Sequence, residues 1–150
     1  MTLEEIANYI VSDGKGILAA DESNPTCGKR FDSIGVESTE ENRRDYREML
    51  FRSEGMKGNI GGVILFDETI RQAASDGTLL RDLISSQGAL PGIKVDKGLQ
   101  QIENCPGETV TVGLDGLSER LKEYAEMGAK FTKWRAVINI GEGIPTDKCI

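Results

Sequence analysis

The sequence predicts an α/β fold in which parallel strands alternate with helical crossovers. Helix-start signatures recur along the chain, four short apolar runs lie between the helical segments, and charged residues gather where those runs end. Such alternation favours parallel strands joined by helices. In parallel α/β architectures, ligands and catalytic groups collect at the C-terminal ends of the strands.

The first helix opens at Thr2-x-x-Glu5, a capping box, with Leu3, Ile6 and Ile10 at helical spacing and Gly14 as its stop. The first strand is the run 16–20, which ends in Asp21, Glu22 and Ser23. The stretch that follows, with Thr26, Lys29 and Arg30, reads as a dense polar loop. There a strand-end carboxylate handles protons while hydroxyls, amides and Arg30 bind phosphate. The same residues also suit a helix N-cap from Asp21 or Ser23.

A second helix begins at Ser38-x-x-Glu41, a second capping box, with Tyr46, Met49 and Leu50 at helical spacing. Arg43 and Arg44 with Glu40 and Glu41 form its solvated face. The second strand, 62–66, ends in Asp67, Glu68 and Thr69, which fit a strand-end site or a helix cap. A third helix lies near 79–86, with Leu79, Leu80, Leu83 and Ile84 on one side and Gly88 as stop. The third strand, 92–95, carries Lys94 and leads into Asp96 and Lys97. A fourth helix starts near Leu117, turns Leu121, Tyr124 and Ala125 inward and stops at Gly128.

The fourth strand is the run 131–140, where Lys133 and Arg135 stand two apart among apolar residues and so share a face. Burying an ammonium and a guanidinium unpartnered costs several kcal/mol, roughly, so they need a carboxylate or an anionic ligand. Trp134 points the other way and packs under a helix.

Composition narrows the classes of function. With 150 residues, 38% hydrophobic and 29% charged, the chain fits one soluble globular domain. No apolar run approaches the ~20 residues that cross a bilayer. The acidic, helical N-terminus resembles neither a signal nor a transit peptide, which points to the cytoplasm, or to the stroma after processing. Eighteen Lys and Arg against 25 Asp and Glu give a net charge of −7, which argues against nucleic acid or anionic membrane as partner. Three widely spaced cysteines, Cys27, Cys105 and Cys149, indicate reduced thiols with no disulfide framework or metal knuckle. The chain has no histidine, so acid–base chemistry falls to Lys, Asp, Glu, Tyr or Cys.

Two glycine motifs carry no site. Gly14-x-Gly16 precedes a strand, whereas a dinucleotide fingerprint follows one and opens a helix; this weighs against a nucleotide-binding doubly wound domain. Gly141-x-Gly143 is a turn. Convergence is more informative. Lys94, Lys133, Arg135 and an aspartate stand at the ends of neighbouring strands, either as mutual ion pairs or as a site for a phosphate-bearing substrate.

Together the motifs resemble a known family. Gly-Lys-Gly-Ile-Leu-Ala-Ala-Asp-Glu-Ser (14–23), Lys-Arg-Phe (29–31), Glu-Asn-Arg-Arg-x-Tyr-Arg (41–47), Gly-Gly-Val-Ile-Leu-Phe-x-Glu-Thr (61–69), Pro-Gly-Ile-Lys-Val-Asp-Lys-Gly (91–98), Gly-Leu-Asp-Gly-Leu-x-x-Arg (113–120) and Lys-Trp-Arg (133–135) are similar to class I fructose-bisphosphate aldolase. The resemblance implies an eight-stranded (β/α) barrel of the TIM-barrel family, forming a homotetramer. It implies a lyase of glycolysis, gluconeogenesis and carbon fixation that works through a Schiff base with no metal or other cofactor. Its substrate is fructose 1,6-bisphosphate, split into dihydroxyacetone phosphate and glyceraldehyde 3-phosphate.

By match, Asp21 assists proton transfer at the reacting carbon and Lys133 assists the carbinolamine steps. Lys94 and Arg135 bind the sugar backbone and its 6-phosphate, helped by Ser23, Thr26 and Arg30. The family's Schiff-base lysine, its acid and base glutamates and its other phosphate loops lie on later strands. Residues 1–150 are therefore expected to be the N-terminal half of the barrel, with the C-terminal half absent. Such a piece is expected to be inactive alone, and marginal, aggregation-prone or dimerising. The alternative is a non-catalytic half-barrel that binds phosphosugars or a partner. Asn24-Pro25 and Cys27 depart from the family pattern as ordinary variation.

Overall fold

A computed structural model describes residues 1–12 and 14–150. The elements run α1 Leu3–Ile10, β1 Gly16–Ala20, α2 Asn24–Asp32, α3 Glu40–Phe51, β2 Ile60–Leu65, α4 Asp67–Arg71, α5 Leu80–Ser86, β3 Leu90–Lys94, β4 Leu99–Gln101, β5 Thr109–Thr111, α6 Leu117–Glu126 and β6 Phe131–Lys133. Four strands form one parallel sheet in the order β1-β2-β3-β6, so chain order and sheet order agree. β4 and β5 form a separate antiparallel hairpin. No helix among the described residues is long and apolar enough to cross a membrane.

Register aligns the strand ends. Ala20 lies opposite Leu65, Leu65 opposite Ile93, and Ile93 opposite Thr132. The next row upward holds Asp21 and the paired residues Lys94 and Lys133. Alternation sends these side chains to the face opposite the row below them.

The other face carries the core. Val63, Leu65 and Ile93 on the strands and Phe51, Ile70, Leu80 and Ile84 on the helices are fully buried and form one cluster, joined by Tyr124. On the first face the aromatic ring of Phe131 lies over β3 and β2. A Cβ at Gly92 would clash with the Cζ of that ring, and one at Gly62 would sit 2.9 Å from the ring, so glycine permits the close approach.

α1 begins as the capping box predicts: Glu5 N donates to Thr2 Oγ1 at 3.2 Å, and Thr2 N donates to Glu5 Oε2 at 2.7 Å. The second box is displaced by one residue. Thr39, not Ser38, caps α3 by accepting from Asn42 N, while the Ser38 carbonyl accepts from Arg43. Nor is Arg43 solvated. It is buried, donating through Nε and Nη2 to the two carboxylate oxygens of Glu68 at 2.8 and 2.6 Å, and so ties α3 to α4. Met49, placed inward by spacing, is exposed, and the buried positions of α3 are Arg43, Arg47, Glu48 and Phe51.

The fourth strand is shorter than its β-branched content suggests. It ends at Lys133, because β3 offers no ladder beyond Lys94. Past that point the Lys133 carbonyl accepts from Val95 N, and Arg135 N donates to Asp96 Oδ2 at 3.2 Å. Trp134 is partly buried against the core cluster.

The polar loop after β1 is in fact helix α2, entered through Ser23 with proline in its first turn and anchored by buried Cys27 and Phe31. After β2, Asp67 and Glu68 open the short helix α4, which agrees with the helix-cap alternative in location, although the Ncap position itself is Phe66.

Candidate functional site

All seven residues singled out from the sequence line one cleft of about 330 Å³ at the C-terminal end of the main sheet: Asp21, Ser23, Thr26, Arg30, Lys94, Lys133 and Arg135. Each arrives from a distinct local cause. Asp21 is the first residue past β1, Lys94 ends β3 and Lys133 ends β6. Ser23 is the N-cap residue of α2, Thr26 lies in its first turn, and the Ser23 and Thr26 hydroxyls are 3.1 Å apart. Arg30 sits one turn further along that helix.

The lysines are paired. Lys133 Nζ donates to Asp21 Oδ2 at 2.7 Å, and Lys94 Nζ lies 2.9 Å from Asp96 Oδ1. Burial pushes the Asp96 carboxyl up. The Lys94 ammonium and the N–H groups of Arg135 and Gly98 outweigh that and hold it below the ordinary carboxylate range. Arg30 is paired with Glu22, whose charge raises the guanidinium pKa, and it also reaches the Tyr46 hydroxyl at 3.4 Å. Arg135 is exposed, and among the described residues its guanidinium has no ion-pair partner. Lys133 and Arg135 therefore still meet in one cleft, although the strand that was to align them stops between the two.

Four cations thus face three carboxylates: Arg30, Lys94, Lys133 and Arg135 against Asp21, Glu22 and Asp96. The surplus is one positive charge with exposed arginine donors at the rim. A lining of this kind receives an anion, and guanidinium forks with adjacent hydroxyls suit a phosphate.

Sequence reasoning gave no role to Glu22 or to Arg47. Glu22 is only 8% exposed and accepts from Arg30, Arg47 and Tyr46. Arg47 is 1% exposed. The available signal was spacing, since Arg43, Arg47 and Phe51 recur every fourth residue and so share the buried face of α3.

The likeness to known proteins runs the length of the chain. The family model described as glycolytic, class-I fructose-bisphosphate aldolase matches residues 2–150. A probable fructose-bisphosphate aldolase class 1 of Xanthomonas campestris is 55% identical over 99% of this chain and 44% of its own length. A cytosolic fructose-bisphosphate aldolase of Arabidopsis thaliana is 54% identical over 99% of this chain and 38% of its own. Among solved structures, a fructose-bisphosphate aldolase of Plasmodium falciparum in complex with TRAP and a small-molecule inhibitor superposes with a TM-score of 0.93. It is 48% identical, over 97% of this chain and 42% of that one. The chain spans less than half the length of the curated relatives it matches. With the motifs, the parallel sheet and the strand-end cleft in agreement, the chain belongs to the class I fructose-bisphosphate aldolase family.

Proposed function

We propose that these 150 residues supply part of the site of a metal-independent aldolase that cleaves fructose 1,6-bisphosphate reversibly through a Schiff base. The observation that carries this reading is the convergence of Asp21, Lys94, Lys133 and Arg135 on one cationic cleft at the strand ends. In this reading Asp21, hydrogen-bonded to Lys133, takes or returns a proton at the reacting carbon, and Lys133 holds hydroxyls and assists the carbinolamine steps. Arg135 and Lys94, with Ser23, Thr26 and Arg30, would receive the sugar and a phosphate.

In the same reading, the four-stranded sheet is the N-terminal part of an eight-stranded barrel whose whole protein is a homotetramer of glycolysis and gluconeogenesis. The outer edges of β1 and β6, which among the described residues have no partner strand in the main sheet, support continuation of the sheet.

The imine-forming lysine is read as lying outside residues 1–150, because both cleft lysines are held in ion pairs, Lys133 with Asp21 and Lys94 with Asp96. That pairing also favours, for this chain by itself, binding of a phosphosugar without turnover. Borohydride trapping with dihydroxyacetone phosphate is the test. The expected result is saturable phosphosugar binding with no covalent adduct on this chain. A stable adduct on Lys94 or Lys133 overturns the assignment of the nucleophile elsewhere.

A further inference from the structure

Arg47 touches no open space in the cleft, yet it holds the chain on both sides of Asp21. Its Nε donates to the Ala20 carbonyl at 3.3 Å, and its Nη2 donates to the Glu22 carbonyl at 2.7 Å. Ala20 and Glu22 are the two neighbours of Asp21, so one buried guanidinium clamps the main chain before and after that carboxylate. A third nitrogen, Nη1, lies 3.2 Å from Cys27 Sγ in the first turns of α2, the helix that carries Thr26 and Arg30. Nη2 also reaches Glu22 Oε2 at 3.3 Å.

The two ends of the Glu22 carboxylate differ in their surroundings. Arg47, on Oε2, is fully enclosed, whereas Arg30, on Oε1, is 58% exposed at the cleft rim. Glu22 therefore has one fixed counter-ion and one that can leave without stranding a buried charge. Among protein side chains only a guanidinium offers five donors in a rigid plane, which makes this set of four acceptors reachable from a single side chain.

We infer that Arg47 and Glu22 are positioning residues: Arg47 sets the place of Asp21 against Lys133 through the two flanking carbonyls, and Glu22 parks Arg30 at the rim. The inference rests on the reading of the cleft above only for what Asp21 and Arg30 then do.

The test is residue-resolved labelling of the ligand-free chain. An amine-reactive acylating reagent reports on Lys133, and phenylglyoxal reports on Arg30, both quantified by mass spectrometry. Lys94, paired on β3 and free of Arg47, is the internal control. Arg47→Lys keeps the charge but loses the fork. Lys133 labelling is expected to rise about two- to fivefold relative to Lys94, the change that loss of a partly exposed ion pair brings. A folded Arg47→Lys chain with an unchanged Lys133-to-Lys94 ratio overturns the role of Arg47.

Glu22→Gln keeps both main-chain acceptors. It is expected to leave that ratio unchanged while Arg30 labelling rises. A rise at Lys133 in Glu22→Gln overturns the main-chain clamp, and unchanged Arg30 labelling overturns the parking of Arg30. If Arg47→Lys does not fold, Glu22→Gln alone decides by the same two readings. Protection of the lysines by added fructose 1,6-bisphosphate is a separate measurement. Its absence refutes the phosphosugar reading and leaves the positioning result standing.

Discussion

Lys133 Nζ meets Asp21 Oδ2 at 2.7 Å across 112 residues of sequence, joining the last strand of the main sheet to the first over two intervening strands. Three inter-strand steps on a flat sheet span about 14 Å, more than these two side chains and a hydrogen bond bridge. The face that holds them is therefore concave, and its concavity is what makes a cleft of the strand ends. Exchanging Asp21 for Asn removes one negative charge from a cationic recess. Binding of inorganic phosphate, followed by calorimetry, is expected to tighten by about fivefold, or roughly 1 kcal/mol at the moderate dielectric of a half-open site. Weaker binding in Asp21→Asn shows that the anion sits elsewhere.

Arg135 is the cation of the cleft whose guanidinium, among the described residues, has no carboxylate to leave. Arg135→Ala is expected to weaken fructose 1,6-bisphosphate binding about tenfold, the worth of one charge-assisted hydrogen-bonding group. It should leave the thermal midpoint nearly unchanged, because the side chain is exposed. An affinity equal to that of the unsubstituted chain removes Arg135 from the site.

Gly92 has no room for a side chain beneath the Phe131 ring. Gly92→Val is expected to destabilise the fold by about 3 kcal/mol through overpacking, read as a lower urea midpoint with an unchanged slope. Adding Phe131→Ala should recover part of the loss. If the double variant is no better than the sum of the singles, the clash is not the cause.

The Arg43–Glu68 pair sets an acid limb. Hydrogen bonding from Arg43, assisted by its charge and opposed by burial, holds the Glu68 carboxyl below its usual 4.5. A depressed folded value means that the stabilisation is complete above 4.5 and is lost as pH falls through the lower folded value. Glu68→Gln should cost about 2 kcal/mol near neutrality. The stability gap to the unsubstituted chain should then shrink as pH falls below 4.5 and Glu68 protonates at its lowered folded value. A gap independent of pH shows that the pair acts by shape alone.

The parts of this molecule that were legible in the sequence are those where local chemistry and tertiary packing agree. The α1 capping box, the glycine stops at Gly88 and Gly128 and the first three apolar runs each obey one rule, and the structure keeps them, whereas α1 already ends at Ile10 with Val11 as its C-cap, short of Gly14. The strand-end charges were legible because Lys94, Lys133 and Arg135 are costly in an apolar run and so demand partners. What escaped depended on contacts far along the chain. Arg43 and Arg47 have the composition of a wet helix face, and partners distant in sequence, Glu68 for Arg43 and Glu22 with the Ala20 and Glu22 carbonyls for Arg47, make their burial possible. Helix α2 holds just two buried apolar residues, too few to show a period. The run 131–140 has strand propensity throughout, but no neighbouring strand continues the ladder after Lys133. Propensity there gave way to the end of β3.

Trp134 is the single tryptophan of the chain and follows Lys133 directly, partly buried against the core. The indole thus stands one peptide from Lys133, which lines the cleft, and its emission is uncontaminated by other tryptophans. Intrinsic fluorescence accordingly acts as a built-in gauge of the last strand. It lets ligand titrations and unfolding be watched at the same spot, in the unlabelled protein, with one optical signal.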